Sequence, residues 1–323
     1  MITLVSLTIV LLTSTFIVGR LCWKAANTTK LWIKRLTIGG FFLLFLLSLI
    51  GLAKAFVVEP FIIPSSSMEK TIYPGDVVFI DKVSTALAKV DQDKIYVFKN
   101  STGKYIIKRC IGIPGDRLNQ ERGEIFRNAK KYEVPLGVQR TYLIQLSKKR
   151  GFFLYLDSMK TTFKLLADPA NPMLYYASLT RKESEIVLKF SKTPKLTPME
   201  GEFAKNSFIK AGADLKKSLL NLRVPYVGMT IELNSKTNTY YKMAIANGES
   251  KSLVEKKGLY LINDSIRKTY TFKNDYLYML GDNRGNSVDS RATGFVRMKD
   301  VIGEAVIKFT PSDLTGENSL KVL

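Results

Sequence analysis

The chain has 323 residues, a formal net charge of +21 and no histidine. Without histidine, neither Ser-His-Asp nor Cys-His catalysis is possible and the two cysteines cannot complete a zinc site, so we expect no metal and no cofactor. The basic residues are scattered and match no nucleic-acid-binding motif, so we expect no nucleic acid partner; the charge indicates either attraction to an anionic lipid bilayer or simply a basic proteome.

Two long apolar runs open the chain, within residues 1–58, which contain no Asp or Glu. Each run has about 18 residues or more, enough to cross a bilayer as a helix. The loop between them, residues 20–35, carries five basic residues, and such loops stay in the cytoplasm. The sequence therefore predicts transmembrane helices at about 2–19 and 36–58, with residues 59–323 on the outer side. A cleavable secretory signal is the alternative for the first run, although no basic segment precedes it.

From residue 59 onward the pattern is mainly that of β-strands. Short segments rich in β-branched and aromatic residues, many bounded by Gly, Pro, Asn or Asp, are typical of strands. These segments are 76–82, 95–99, 104–112, 228–233, 239–246, 258–263, 276–280 and 301–309. We expect a mainly β, antiparallel-sheet domain formed by residues 59–126 and 227–323. Residues 127–226 carry no chemical motif and are predicted to be an inserted lobe or extended hairpins, with 206–222 as the best candidate helix.

A serine-rich turn follows the apolar segment FII. Its sequence is PSSSMEKTIYPGD, in which Pro64 fixes its own φ and biases Ile63 toward extended geometry. The chain thus leaves a strand and enters a turn of small residues, which can present a hydroxyl and a backbone N–H side by side. This makes Ser67 a candidate nucleophile. Taken alone, the segment is equally typical of an ordinary loop.

A lysine inside the apolar strand segment YIIKRCIG is a candidate general base. Strand alternation puts Ile106, Lys108 and Cys110 on one face. Burial among apolar neighbours disfavours the ammonium form and lowers its pKa, so that a neutral amine can accept a proton. The alternative is a lysine on an edge strand whose amine reaches water.

A third segment, GDNRGNSVDSRATG, lies near the C-terminus and is dense in turn formers and charges. Ser287 in this segment could orient a lysine amine by hydrogen bonding. Asp289 and Arg291 could pair with each other or with Arg109. Asp282, Asn283 and Arg284 are candidates for the same supporting role. We interpret these charges as structural support rather than chemistry.

Together the three segments resemble the bacterial type I signal peptidase (leader peptidase) family. That family has P-S-x-S-M just after a transmembrane helix, then K-R-x-x-G-x-P-G-D, then G-D-N-R-x-x-S-x-D-S-R, and this chain has all three in order. The resemblance implies a multi-pass serine endopeptidase of the bacterial inner (plasma) membrane with its catalytic domain on the periplasmic side. Its substrates would be signal-peptide-bearing preproteins, cleaved after small side chains at positions −1 and −3. The oligomeric state is left open.

The resemblance also implies a role for each matching position. Ser67 would be the nucleophile and Lys108 the general base. Ser65 would donate its hydroxyl in the oxyanion hole, beside the backbone N–H of Ser67, and Ser287 would position the Lys108 amine. Shallow apolar pockets for small side chains would be lined by Phe61, Ile63, Met68, Ile72, Ile106 and Ile107.

Three places depart from the family pattern. Lys70 stands where a proline is common, and Arg297 replaces a frequent proline after G-F-V. Ala292 and Thr293 replace bulkier, often aromatic residues. None of these touches the predicted pair of catalytic residues, so we expect them to affect loop packing only.

Two other functions fit parts of the pattern. A self-cleaving repressor-type protease also uses serine and lysine, but it predicts a soluble DNA-binding N-terminus where this chain has two apolar runs. A catalytically inactive, membrane-anchored binding protein is the other alternative. The intact Ser67 and Lys108 argue against it.

Overall fold

The computed structural model describes residues 13, 16–20, 31–56, 58–83, 90–121, 124–147, 149, 151–190, 195–199, 221–249, 252–256, 258–312 and 316–323. The first predicted span, the loop after it and the predicted helix at 206–222 therefore lie largely outside the described residues. Most of the second apolar run belongs to a helix of 26 residues, Leu31–Phe56. Within the described ranges, no helix meets the combined length and apolarity expected of a bilayer-crossing segment.

Strands are the main regular elements of the described chain after this helix. In chain order they are β1 (Val58–Ile62), β2 (Val77–Asp81), β3 (Ile95–Lys99), β4 (Tyr105–Gly112), β5 (Arg117–Glu121), β6 (Glu124–Arg127), β7 (Lys130–Lys131), β8 (Arg140–Gln145), β9 (Leu166–Ala167), β10 (Leu174–Leu179), β11 (Lys195–Pro198), β12 (Leu222–Arg223), β13 (Thr230–Glu232), β14 (Leu253–Lys256), β15 (Leu259–Ile262), β16 (Ser265–Arg267), β17 (Thr269–Thr271), β18 (Tyr276–Leu280), β19 (Val296–Arg297), β20 (Val301–Thr310) and β21 (Ser319–Val322). The helices are α1 (Leu31–Phe56), α2 (Phe152–Ser158), α3 (Arg181–Leu188), α4 (Thr239–Met243) and α5 (Ser290–Thr293).

The largest sheet has eight strands and carries the candidate site. Its order is β1-β2-β20-β3-β4-β18-β19, and β21 pairs with β20. All strand pairings described for this sheet are antiparallel. All five residues of β18, YLYML, are buried, as expected for a strand covered on both faces. The prediction of a mainly β, antiparallel fold is confirmed.

One predicted strand is wrong. Residues 239–246 form helix α4, which continues into a turn of π-helix at Ala244–Gly248. The side chain of Asn238 accepts a hydrogen bond from the backbone N–H of Tyr240 and so caps the first turn. The tyrosines that suggested a strand instead pack inward, and Tyr240 contacts the rings of Tyr278 and Phe295 edge-on or tilted. Tertiary packing of aromatic residues here overrides their strand preference.

A second sheet lies inside the predicted insert, with strand order β11-β8-β10-β9. Helices α2 and α3 pack against it around a buried cluster that includes Ile144, Phe152 and Val187. We call β8 to β11 with these two helices the lobe. Strand β12 instead pairs with β5, so the chain returns to the neighbourhood of β4 before the predicted insert ends. The division of the chain into domains stays a prediction.

Candidate active site

The centre of the site is a contact between two buried polar side chains, 41 residues apart in sequence. Ser67 lies in a 3-10 turn, Ser66–Met68, after β1, and Lys108 lies on β4. The Nζ atom of Lys108 donates to Ser67 Oγ at 2.6 Å and to the carbonyl oxygen of Ile107 at 2.8 Å. Ser67 is 8% exposed and Lys108 3%. The two residues singled out in the sequence are therefore within hydrogen-bonding distance.

Backbone contacts fix the turn that carries Ser67. The N–H groups of Thr71 and Ile72 both donate to the Met68 carbonyl, at 3.0 and 2.8 Å. The Met68 side chain, next to the serine, has no exposed surface and packs in a core cluster between β1, β2 and β4. The turn that carries Ser67 is thus anchored to the core through the next residue, Met68.

Burial lowers the pKa of the Lys108 amine to about 8, from its ordinary value of 10.5. Asp289 and Asp282 act in the opposite direction because negative charge favours the ammonium form, and Arg291 adds to the lowering. An amine with this pKa is partly neutral near pH 8 and can accept a proton from a hydroxyl that already contacts it.

The hydroxyl of Ser65 lies beside that of Ser67. The two Oγ atoms are 3.4 Å apart, and either can be the donor. Ser65 has extended backbone geometry and is exposed, whereas Ser67 is buried. The turn therefore has one exposed serine and one buried serine, two positions apart, with their hydroxyls side by side.

The charged residues of the third segment form two separate ion pairs. Arg109 binds Asp282 through two hydrogen bonds, Nε to Oδ1 at 2.8 Å and Nη2 to Oδ2 at 2.5 Å. Arg291 binds Asp289 in the same two-point manner, both at 2.9 Å. Of the pairings that the sequence left open, Asp289 thus pairs with Arg291 and not with Arg109. Burial alone would raise the pKa of Asp289, but Arg291 and the N–H of Gly281 hold it below its ordinary value.

Ser287 lies near Asp289, and its hydroxyl makes no hydrogen bond with the Lys108 amine. Its hydroxyl is near enough to Asp289 to help lower the pKa of that carboxyl, but Ser287 Oγ is buried without a partner at hydrogen-bonding geometry. The two acceptors of Lys108 Nζ are Ser67 Oγ and the Ile107 carbonyl. A role for Ser287 in positioning the amine stays a prediction.

Gly281 and Asn283 contribute to the site; the sequence reasoning gave Gly281 no role and named Asn283 only as a candidate for structural support. A Cβ atom at Gly281 would overlap the side chain of Ser287 and the Ser67 carbonyl, so only glycine allows this approach. The Asn283 N–H donates to the Ser67 carbonyl at 3.0 Å. The glycine that opens GDNR was a usable signal, because a close backbone approach requires glycine.

The predicted pocket residues divide between two core clusters. Ile63, Met68, Ile72 and Ile107 pack in one, with Phe61 partly buried against it. Ile106 packs against a different cluster that contains Cys110. Met68 and Ile72 have no exposed surface, so in this structure they lie in the core behind any open pocket.

Known sequences resemble this chain over most of its length. The sequence model for signal peptidase, peptidase S26, matches residues 32–171 and 223–310, well over half of the chain. The chain belongs to the signal peptidase S26 family. The three motifs of this S26 family member fall inside the matched ranges. The unmatched residues between the two ranges, 172–222, belong to the predicted insert. The resemblance inferred from the sequence is confirmed, and family membership makes the chain a serine endopeptidase, a peptide-bond hydrolase.

Curated relatives of this S26 family member extend over most of its length. Signal peptidase I of Buchnera aphidicola subsp. Baizongia pistaciae is 25% identical over 277 residues, which is 81% of this chain and 72% of the relative. Signal peptidase I of Streptococcus pneumoniae is 23% identical over 273 residues, or 84% and 91%. A solved signal peptidase I of Enterococcus faecalis matches at 17% identity over 67% of this chain and 96% of that one, with a TM-score of only 0.24.

Proposed function

We propose that this chain is a membrane-anchored endopeptidase that removes N-terminal signal peptides from exported preproteins, with Ser67 as nucleophile and Lys108 as general base. The observation that carries the proposal is the 2.6 Å contact between the buried Lys108 Nζ and Ser67 Oγ. A buried amine whose pKa is lowered toward the working pH, and which already contacts a hydroxyl, can activate a serine where no histidine exists.

In this mechanism the neutral Lys108 amine takes the proton from Ser67 Oγ as that oxygen attacks the scissile carbonyl carbon. The carbonyl oxygen becomes an oxyanion, which hydrogen bonds from the Ser65 hydroxyl and the Ser67 N–H stabilise. The protonated Lys108 then gives its proton to the leaving amine, the C–N bond breaks, and an ester to Ser67 remains. Water that is deprotonated by Lys108 hydrolyses this ester, and the proton returns to Ser67 Oγ.

The ion pairs support the reaction by holding the loops in place. The Ile107 carbonyl accepts one Lys108 N–H and so directs the amine. Asp282 joins the turn after Ser67 to β4, because it accepts from Thr71 Oγ1 at 2.7 Å as well as from Arg109. Ser287 is proposed to meet the amine once substrate is bound.

The preference for small side chains at positions −1 and −3 is proposed from the family. The apolar surface nearest the serine turn supports it, since Phe61 is only partly buried beside the core cluster that contains Ile63 and Ile107. A shallow apolar depression accommodates alanine-sized groups and excludes larger ones by overlap.

Membrane anchoring is proposed from the N-terminal segment. The two apolar runs with the basic loop between them support an inner-membrane location with the catalytic domain outside the cytoplasm. Helix α1 adds to this support, because large apolar side chains such as Trp32, Leu36 and Phe42 are well exposed along it. Exposed apolar side chains of this size are stable in contact with lipid.

The decisive experiment is cleavage of a purified preprotein by the full chain in detergent. Ser67→Ala and Lys108→Ala should each lower kcat by at least about 10³-fold, because residues that act as a unit fail together. Lys104→Ala is the matched control, since Lys104 is an exposed lysine just before the same strand and should be dispensable. Near-normal cleavage by Lys108→Ala would contradict the serine/lysine mechanism.

The topology can be tested with the two native cysteines. Cys22 lies in the basic loop, whereas Cys110 is completely buried and burial raises the pKa of its thiol, so Cys110 reacts poorly. A membrane-impermeant maleimide should therefore leave this protein unlabelled in intact spheroplasts and should label its Cys22 after the membrane is opened. Labelling of Cys22 in intact spheroplasts would overturn the proposed orientation.

A further inference from the structure

The turn after Ser67 contains a strained residue. The backbone angle φ of Lys70 is +73°, in the left-handed region that residues other than glycine rarely adopt. A conformation of this kind persists when surrounding contacts determine it. The structure contains such a contact.

That contact is an ion pair with the lobe. Lys70 Nζ lies 3.4 Å from Glu183 Oε1, at the start of helix α3, and the two side chains are only 28% and 15% exposed. The other oxygen of Glu183, Oε2, accepts from the N–H and the hydroxyl of Thr180 at 2.7 and 2.8 Å. Helix capping therefore fixes the carboxylate before Lys70 meets it.

The segment that enters the lobe also binds the loop that contacts the Ser67 carbonyl. Directly before β8, the N–H of Gln139 donates to the Asp282 carbonyl at 2.7 Å, and the Gln139 carbonyl accepts from the Arg284 N–H at 2.9 Å. Between these two bonds lies Asn283, whose N–H donates to the carbonyl of Ser67. Gln139, directly before the first strand of the lobe, thus holds both neighbours of Asn283, the residue that contacts the Ser67 carbonyl.

A third contact lies two residues further along that loop. A Cβ atom at Gly285 would come within 2.5 Å of the Thr141 hydroxyl on β8 and 3.0 Å of the Ser178 hydroxyl on β10. The next residue, Asn286, donates from Nδ2 to Ser66 Oγ at 2.9 Å. The sheet of the lobe therefore packs closely against this loop, and the loop contacts the serine turn through Asn286.

We propose that the lobe positions the nucleophile, and that Lys70 and Glu183 are positioning residues for the reaction. This inference rests on the proposed function, and it gives the insert a role in catalysis rather than in substrate binding alone. All three contacts converge on the serine turn or on the loop that holds it. A misplacement of about 1 Å in a reacting group can lower a rate by about 10²-fold, so the lobe can act on the rate without touching substrate.

The first test is a double-mutant cycle in the full chain with a preprotein peptide. Glu183→Gln keeps an oxygen for Thr180 but loses the charge that faces Lys70, and Lys70→Met keeps the side-chain length. Each should lower kcat by about three-fold, as expected for a partly buried ion pair, with KM unchanged. The double variant should be no worse than either single one, because both remove the same contact. Lys70→Arg should restore wild-type kcat.

The matched control is Glu185→Gln. Glu185 lies on the same helix and pairs with Arg181, but both side chains of this pair are exposed and the pair lies within the helix itself. It should leave kcat unchanged. High salt should lower kcat of the wild type toward that of Glu183→Gln and should not affect that variant further, because salt screens the pair.

The second test is a rescue across the loop. Gly285→Ala should lower kcat by about ten-fold or more, since the added methyl group overlaps the Thr141 hydroxyl and displaces the loop. Thr141→Ala in the same chain removes that oxygen and should restore most of the loss.

The outcomes separate this inference from the proposed function. If Ser67→Ala abolishes cleavage while Glu183→Gln and Lys70→Met keep wild-type kcat, the positioning role is wrong and the serine mechanism stands. An effect on KM alone would also overturn it, because it would make the lobe a substrate-binding surface. Continued activity of Ser67→Ala would contradict the proposed function itself, whatever the lobe variants do.

Discussion

Replacing Lys108 by methionine should change how the stability of the fold depends on pH. In the folded protein burial lowers the pKa of the Lys108 amine to about 8, while the unfolded chain keeps the ordinary value of 10.5. Between these values the unfolded chain binds a proton that the folded chain has released, so the free energy of unfolding rises with pH. The contribution of neutral Lys108 is therefore complete above the unfolded pKa and is lost as the pH falls through the folded one.

The size of this effect follows from the two pKa values. A difference between 10.5 and about 8 corresponds to about 3 kcal/mol, since one pKa unit equals about 1.4 kcal/mol. Relative to wild type, Lys108→Met should gain about 3 kcal/mol more in free energy of unfolding near pH 7 than near pH 11. Guanidinium titrations of both proteins in one detergent, followed by far-UV circular dichroism, measure this difference.

A lysine on the same hairpin supplies the control. Lys104→Met removes the same positive charge from an exposed position, so it should leave the pH dependence parallel to that of wild type. If the curves of Lys108→Met and wild type were also parallel, the argument that burial destabilises the Lys108 ammonium would be refuted. The neutral amine would then need another origin.

Three further predictions concern the reaction itself. The value of kcat/KM should rise with pH through about 8, because Lys108 must be neutral to act; a profile flat from pH 6 to 10 would contradict this. Ser65→Ala should lower kcat by about 10²–10³-fold with little change in KM, as for one oxyanion donor, while Ser66→Ala should stay active; full activity of Ser65→Ala in steady-state kinetics would remove Ser65 from the oxyanion hole. Gly281→Ala should lower kcat by about 10²-fold because the methyl group displaces the Ser67 carbonyl, and near-normal turnover would show that the loop can adjust.

The sequence was most informative where local pattern and tertiary structure agree. Strands β2, β3, β4, β18 and β20 coincide with predicted segments, because β-branched and aromatic residues are buried there on one or both faces. For Lys108 the sequence left burial and an edge-strand position open, and the place of β4 between β3 and β18 decides for burial.

Other features needed the distances. The pairing of Asp289 with Arg291 and of Asp282 with Arg109 could not be chosen from spacing, because loops bring residues 173 positions apart into contact. Helix α3 did have a local signal, since Thr180 and Glu183 have the spacing of a capping box, but no long apolar period accompanied it. The contact of Glu183 with Lys70 has no sequence signature at all.

The hydrogen bond from Asn283 to the Ser67 carbonyl has a consequence for biosynthesis. The serine turn lies early in the chain, yet the loop that completes its surroundings is synthesised more than two hundred residues later. Because chains emerge from the ribosome N-terminus first, the Ser67 carbonyl can accept the hydrogen bond from Asn283 only after this late segment has been made. A growing chain therefore lacks the hydrogen bond that fixes the Ser67 carbonyl through most of its synthesis, and the turn reaches its final geometry only when nearly all of the chain has been made.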